Sequence, residues 1–144
     1  MVLGMRKGKR PLDSKQPMHL VIKCTKRIYD HRAFVDSTLK QTANKFRVPL
    51  YDYAIAIDHI HIVTRIPGRA AYVKFIRAVT GWLARKLGTG LIKSVFTRIA
   101  SWGRDYYNLI VYCRKNREEA FREFDTGVKF RYHRAKPMFR PRTT

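Results

Sequence analysis

The chain has 144 residues, 45% of them apolar, which is enough for one domain with a hydrophobic core and too few for two. Lys and Arg number 31 against 10 Asp and Glu, and the formal charge of +21 indicates a polyanionic partner such as nucleic acid without indicating any chemistry. No run of 18 apolar residues occurs and no apolar segment follows the basic N-terminus, so we exclude a membrane span and a signal peptide and expect a cytoplasmic protein.

The first third of the chain predicts an arm, a strand and a helix. Residues 1–17 combine Lys and Arg with Gly and Pro, a composition that builds no core and indicates a basic arm. The apolar, β-branched run at 18–25 predicts the first strand. In residues 31–48, apolar side chains recur at spacings of four, four and three, which indicates an amphipathic helix that ends near Pro49.

The middle of the chain predicts a hairpin, followed by a helix, a strand and a longer helix. Residues 50–57 and 59–66 are both rich in Ile, Val and Tyr and are separated by one residue, which indicates a tight hairpin. An apolar stripe ended by glycines predicts the second helix at 70–87. Residues 93–101 predict a fourth strand, and the longest apolar stripe predicts the third helix at 102–124.

The order β-α-β-β-α-β-α predicts an α+β, ferredoxin-like domain at 18–124, with an antiparallel sheet and helices on one face. Ser101 is expected to be the N-cap of the third helix. Residues 125–144 alternate basic residues with aromatic residues or Pro, without a helix or strand period, and predict a basic tail. The buried face of this helix is predicted to consist of Tyr106, Leu109, Ile110, Cys113, Ala120, Phe121 and Phe124. Because this fold carries RNA-binding domains, metal chaperones and nucleases, it does not decide the function.

A pair of histidines on the fourth predicted segment is the first candidate for chemistry. His59 and His61 are two residues apart on a strand, so their side chains leave the same face about 6.6 to 6.8 Å apart along the backbone. Two imidazoles that converge in this way can hold a divalent ion, whereas a hydrogen-bonded structural pair is the more common outcome for an isolated motif of this kind. A third ligand and a reactive group are needed to favour a metal site.

The third predicted helix offers both. Tyr112 and Asn116 are four residues apart and share a face beside the apolar stripe. An Asn oxygen with two His nitrogens makes a mixed site that suits Mg²⁺ or Mn²⁺ and leaves positions for water and phosphate. The chain has eight tyrosines, and any one of them taken alone is more often an amphipathic boundary residue than a nucleophile.

These two motifs together carry a family resemblance. The segment 56–63, which holds the His pair, and the later Tyr-Cys-Arg-Lys-Asn of residues 112–116 resemble the two signature motifs of single-tyrosine HUH transposases, in particular the REP-associated tyrosine transposases of bacteria. In that family, an apolar strand with Asn or Asp before His-apolar-His precedes a helix bearing Tyr-x-x-x-Asn or Tyr-x-x-x-Gln. The resemblance extends from about Met18 to Ala120. It departs from the pattern at residues 113–115, which are more polar than usual, and at Arg117, where many relatives have Pro.

The resemblance implies a ligand set, a nucleophile and a reaction. His59, His61 and Asn116 would hold Mg²⁺ or Mn²⁺, and Tyr112 would attack DNA. The implied activity is metal-dependent cleavage and strand transfer of sequence- or hairpin-specific single-stranded DNA through a 5′-phosphotyrosine intermediate. The implied targets are REP-like palindromes in the bacterial nucleoid, bound by a monomer, with a dimer as the alternative. His19 matches a His common on the first strand of the family, and we expect it to make a structural hydrogen bond.

Basic side chains on the second helix and in the tail are the predicted phosphate contacts, with Tyr132 and Phe139 as stacking platforms for bases. These basic residues are Arg69, Lys74, Arg77, Arg85, Lys86, Lys129, Arg131, Arg134, Lys136, Arg140 and Arg142.

Three other hypotheses stay open at this point. A non-catalytic nucleic-acid-binding module would use Tyr51 and Tyr53 to stack bases and would bind without metal. A domesticated transposase would keep the same residues without moving any element, and a structural metal-binding protein would keep only the ligands. Cys24 and Cys113 have no partner Cys at a metal-ligand spacing, so we expect two buried thiols in a reducing compartment.

Overall fold

A computed structural model describes residues 13–127 of the chain. In chain order the elements are β1 (Met18–Cys24), a 3-10 turn (Tyr29–His31), α1 (Arg32–Lys45), β2 (Leu50–Ile55), β3 (His59–Thr64), α2 (Arg69–Leu87), β4 (Ile92–Ile99) and α3 (Arg104–Thr126). The predicted order of strands and helices is confirmed. Residues 1–12 and 128–144 of the predicted arm and tail lie outside the described residues, so the division into arm, domain and tail stays a prediction.

The four strands form one antiparallel sheet in the order β2-β3-β1-β4, which is the ferredoxin-like arrangement. Alternate side chains leave opposite faces of the strands, so Leu20 and Ile22 of β1 and Ile62 of β3 point to the same side. All three are completely buried, together with Leu39 of α1 and Phe75 of α2. The apolar stripes of α1 and α2 therefore face the sheet, and together with it they form the main core.

The third helix lies on the opposite face of the sheet from α1 and α2. Its Leu109 and Cys113 pack against Ala54 of β2 and Val63 of β3. Because successive side chains along a strand point to opposite faces of the sheet, Val63 lies on the face opposite to Ile62 and the main core. The prediction of helices on one face therefore holds for α1 and α2 and requires correction for α3. Small and β-branched apolar side chains on the outer face of β2 and β3 need a cover, and α3 provides it.

The start of α3 also differs from the prediction. The helix begins at Arg104 after Gly103, and Ser101 is not its N-cap. Instead, the backbone N–H of Ser101 donates to Oδ2 of Asp105 at 2.9 Å, so the helix side chain closes back on the preceding loop. Phe121, predicted to be buried, is 56% exposed because the helix turns it away from the neighbouring Ala120, which is buried.

Both cysteines are free and buried, as the sequence predicts. Burial, the largest cause, raises the pKa of Cys24 to about 11 and the pKa of Cys113 to about 12. These values leave the thiols protonated and unreactive at neutral pH. Within residues 13–127, every helix is too short or too polar to cross a membrane.

Candidate active site

The candidate site lies on the face of the sheet that α3 partly covers. Both His59 and His61 of β3 project there, with ring centroids 4.9 Å apart, as their spacing predicts. In the register between β1 and β3, Lys23 pairs with His59 and Val21 pairs with His61. His19 of β1 leaves the same face two residues away from Val21, so three imidazoles meet beneath the helix.

Tyr112 of α3 lies against two of these imidazoles. Its ring centroid is 5.4 Å from that of His61 and 6.1 Å from that of His19, in each case with nearly perpendicular rings. The packing of Leu109 and Cys113 on the sheet sets this position, because Tyr112 precedes Cys113 on the flank of the buried stripe. The structure therefore brings the predicted nucleophile to the predicted His pair across some fifty residues of sequence.

Asn116 follows one helical turn after Tyr112, and its Nδ2 donates to the backbone carbonyl of Tyr112 at 2.8 Å. The side chain also raises the pKa of His61 through a hydrogen-bonding interaction, which opposes the larger effect of burial. Among the described residues, no hydrogen bond of ordinary geometry reaches Nε2 of His61.

His61 is 5% exposed, and its two nitrogens have different surroundings. Its Nδ1 lies 3.0 Å from Nε2 of His19, whereas its Nε2 is buried and has no hydrogen-bond partner within residues 13–127. Burial, followed by the charges of His19 and His59, lowers the pKa of His61 well below 6.5. The ring is neutral at physiological pH, which is the form that binds a metal.

His59 repeats this arrangement at a more exposed position. Its Nδ1 lies 2.9 Å from Oδ1 of Asp58, so a carboxylate can hold the Nδ1 proton and leave Nε2 to bind elsewhere. A histidine ligand of a metal ion typically has such a partner on its second nitrogen.

The side chains present therefore fit a divalent metal ion. The imidazoles of His59 and His61 with the amide oxygen of Asn116 would form a mixed nitrogen and oxygen donor set. Within residues 13–127 no group of three or more His, Cys, Asp or Glu is placed to hold a metal ion. Asn116 is outside these residue types and stays the predicted third ligand.

A family model described as "Transposase IS200 like" matches residues 14–124. The chain belongs to the IS200-like transposase family. Membership makes it a transposase, a class of enzymes that cleave DNA during transposition. Tyr112, His59 and His61 all lie within the matched residues.

Two solved structures share the fold of this transposase. One is a REP-associated tyrosine transposase bound to a REP hairpin, with a TM-score of 0.62 and 9% identity, covering 92% of this chain and 94% of that chain. The other is a candidate transposase from Deinococcus radiodurans R1, with a TM-score of 0.50 and 16% identity, covering 78% of this chain and 98% of that chain. At such low identity, these likenesses bear on the fold. No curated protein sequence matches the chain.

Those predicted phosphate contacts of this transposase that fall in residues 13–127 do not lie at the His pair. Those on α2 are exposed to solvent, and α2 packs on the sheet face opposite to His61. They are Arg69, Lys74, Arg77, Arg85 and Lys86. The remaining predicted contacts and both predicted stacking platforms lie outside the described residues, namely Lys129, Arg131, Tyr132, Arg134, Lys136, Phe139, Arg140 and Arg142.

The two tyrosines of the binding-module hypothesis have structural contacts. The hydroxyl of Tyr53 donates to Asp36 of α1, on the side of the main core. Tyr51 packs edge-on against Trp102 and Tyr106, with ring centroids 5.7 and 5.9 Å away. Neither tyrosine therefore stands free on the sheet as a base-stacking ring.

Sequence reasoning missed an anchor of α3 next to the site. Nη1 of Arg117 donates to Oδ1 of Asp52 at 2.6 Å and to the backbone carbonyl of Tyr53 at 2.8 Å. This contact ties the residue after Asn116 to the edge strand β2. Arg117 is noticeable in the sequence as a departure from the family pattern, but its partner is 65 residues away and no local signal indicates it.

Proposed function

We propose that this transposase cleaves single-stranded DNA with Tyr112 as the nucleophile and rejoins strands through a 5′-phosphotyrosine intermediate. The observation that carries the proposal is the contact between the rings of Tyr112 and His61, whose centroids are 5.4 Å apart. The ligands for Mg²⁺ or Mn²⁺ would be His59, His61 and Asn116. A bound ion would neutralise charge that develops on the non-bridging phosphate oxygens and align the scissile bond.

The proposed reaction exchanges one phosphodiester for another. The Tyr112 oxygen bonds to phosphorus, the bond from phosphorus to the 3′ oxygen breaks, and the phenolic proton is lost while the leaving 3′ oxygen gains one. The product is a 5′-phosphotyrosine and a free 3′-OH. Attack by a new 3′-OH reverses the step and joins strands without ATP, because the phosphotyrosyl bond retains the energy of the original phosphodiester.

Single-stranded or hairpin DNA is the proposed substrate. His61 is buried in the sheet under α3, a position that a phosphate inside an intact duplex reaches poorly. The similar solved structure contains a REP hairpin, and by that likeness we propose REP-like palindromes as targets. One chain supplies the nucleophile and all three ligands, which favours a monomer that uses its own tyrosine.

Cleavage of a labelled hairpin oligonucleotide with Mn²⁺ tests the proposal. The wild-type chain should form a covalent protein-DNA adduct, and both Tyr112→Phe and His61→Ala should lose it. Tyr107→Phe is the matched control, because Tyr107 is an exposed tyrosine of the same helix and should leave the adduct unchanged. A covalent adduct formed by Tyr112→Phe would show that the nucleophile is another residue. Metal-independent binding without any adduct would support a non-catalytic module instead.

A further inference from the structure

An exposed aromatic ring stands on the sheet beside the candidate site. Phe96 of β4 pairs with Val21 of β1, and Val21 pairs with His61 of β3. Paired residues of antiparallel strands share a face, so Phe96 leaves the sheet on the same side as His61. Two strand spacings of about 4.8 Å put Phe96 about 10 Å from His61, within the reach of a short single-stranded segment.

The covering helix does not shield this ring. The buried contacts of α3 with the sheet are made to β2 and β3, and Phe96 on β4 is 52% exposed. Of the other exposed aromatic side chains, Trp82 lies under Arg85 at 5.2 Å and Trp102 packs on Tyr106 at 5.0 Å, whereas Tyr107 and Phe121 lie on α3 and not on the sheet. Within residues 13–127, Phe96 has no aromatic or cationic side chain against its ring.

Two basic side chains lie on the same face as the ring. Lys23 is exposed on the same face, in the register row next to Val21, and its charge is felt at His61 as one of the causes that lower the pKa of that ring. Arg98 follows on β4, two residues after Phe96 and also on this face, where it is paired with Asp105 of α3 at 3.3 Å, so Lys23 is the more accessible of the two cations. An aromatic ring flanked by cations matches a nucleobase and its phosphates, because any base can stack and the charges meet the backbone.

We propose that Phe96 stacks on a nucleobase next to the scissile phosphodiester, with Lys23 beside the adjoining phosphate. The inference rests on the proposed function, since it takes the His61 region as the place where the strand is cut. The partner is single-stranded DNA rather than a duplex, because a paired base has no free face for the ring. The strand would run across the sheet from β3 to β4.

Binding of single-stranded oligonucleotides by the full chain tests this contact. In a Tyr112→Phe background, where no adduct should form, Phe96→Ala should weaken binding about tenfold, a typical loss for one stacked base. Phe96→Trp should restore most of the affinity, and Phe96→Leu, which keeps apolar bulk without an aromatic face, should not. Phe121→Ala is the matched control, because Phe121 is a similarly exposed phenylalanine on α3 and should bind as the parent does.

Abasic oligonucleotides locate the stacked base. With Phe96 present, removing the base at one position beside the cut should weaken binding about tenfold, and in Phe96→Ala the same abasic site should cost nothing further. Equal losses in both chains at every position would overturn the inference. This outcome is separate from the fate of the proposed function, which fails only if Tyr112→Phe still forms a covalent adduct or if the wild type forms none.

A photoreactive p-benzoylphenylalanine at position 96 identifies what covers the ring. Irradiation with a labelled oligonucleotide should join the DNA to the protein. A cross-linked dimer, or a link within the chain to residues 128–144, with no DNA attached, would assign this face to a second copy or to the tail and would overturn the inference.

Discussion

Nε2 of His19 and Nδ1 of His61 lie 3.0 Å apart in a buried contact between β1 and β3. If His61 donates its Nδ1 proton to His19, its Nε2 is left with a lone pair directed toward Tyr112 and Asn116. A partner of this kind selects the tautomer and the orientation of a metal-binding imidazole. Asp58 is placed to act on His59 in the same way, so each predicted His ligand has a neighbour that would prepare it to bind a metal.

We predict that His19→Leu lowers the affinity for Mn²⁺ about 10- to 100-fold, because His61 loses the acceptor that holds its Nδ1 proton. His19→Gln keeps an acceptor and should retain more of the affinity. Mn²⁺ titration followed by electron paramagnetic resonance measures the effect directly. The exposed His31→Gln is the control. An unchanged Mn²⁺ affinity in folded His19→Leu would show that the contact does not prepare the site.

Asn116 is predicted to be the third ligand, and a metal-dependent gain in stability tests this. At a Mn²⁺ concentration 100 times the Kd, binding to the folded state alone stabilises it by about 2.7 kcal/mol. The melting temperature of the wild type should therefore rise with Mn²⁺, and that of Asn116→Ala should rise much less. Asn108→Ala, on the same helix, is the control. An equal rise in Asn116→Ala would remove Asn116 from the ligand set.

Stability should depend on pH through the buried histidines. Burial, with a smaller effect of Arg98, lowers the pKa of His19 from 6.5 to about 4. Below pH 6.5 His19 is protonated in the unfolded chain, but in the folded chain it stays neutral down to about pH 4. Its contribution to stability is therefore fully present above pH 6.5 and is lost as the pH falls from 6.5 to about 4. The loss from His19 is at most about 3 kcal/mol.

Urea unfolding without metal at pH 7.5 and pH 4.5 measures this loss. Carboxylates also titrate near the lower pH, so the decisive comparison is with His19→Gln, whose stability should fall less over the same interval. Parallel pH profiles for the two chains would contradict the assignment.

The contact between Arg117 and Asp52 is predicted to hold the middle of α3, which carries Tyr112 and Asn116, against the sheet. Arg117→Met should cost about 1 kcal/mol of stability, since the ion pair is partly exposed, and should reduce cleavage because Asn116 is the preceding residue. Arg114→Met, an exposed position on the same helix, is the control. A double-mutant cycle with Asp52→Asn isolates the pair. Additive losses would mean that the two side chains do not depend on each other.

Leu109→Ala and Leu39→Ala should distinguish what packing on each face of the sheet contributes to stability and to cleavage. Both leucines are completely buried, and each truncation should cost about 2 to 5 kcal/mol in urea unfolding. Leu109 seats the helix that carries Tyr112, so Leu109→Ala should also lower cleavage below its melting temperature. Leu39→Ala, which alters the main core, should not. Equal cleavage by both folded variants would mean that the packing of α3 on the sheet through Leu109 does not limit the cleavage rate.

The elements could be predicted because their signals are local. The apolar, β-branched runs of β1 and β3 and the apolar stripes of α1 and α2 arise from neighbours within a few residues, and the predicted order matches the structure. The first residue of α3 is harder to predict, because the side chain that accepts a hydrogen bond from the preceding loop belongs to Asp105 and not to Ser101. The face of the sheet that α3 covers could not be predicted either, because an apolar stripe on a helix packs equally well on either apolar face of a sheet.

For the candidate site, the sequence by itself determined that His59 and His61 share a face of one strand and that Tyr112 and Asn116 share a face of one helix. These relations follow from backbone periods of 2.0 and 3.6 residues and need no tertiary information. Only the tertiary structure decided that the two faces meet, that His19 and Asp58 hold the Nδ1 atoms, and that Phe96 is left open beside them. Pairing and packing between distant segments set these contacts, and burial then makes His61 a neutral imidazole.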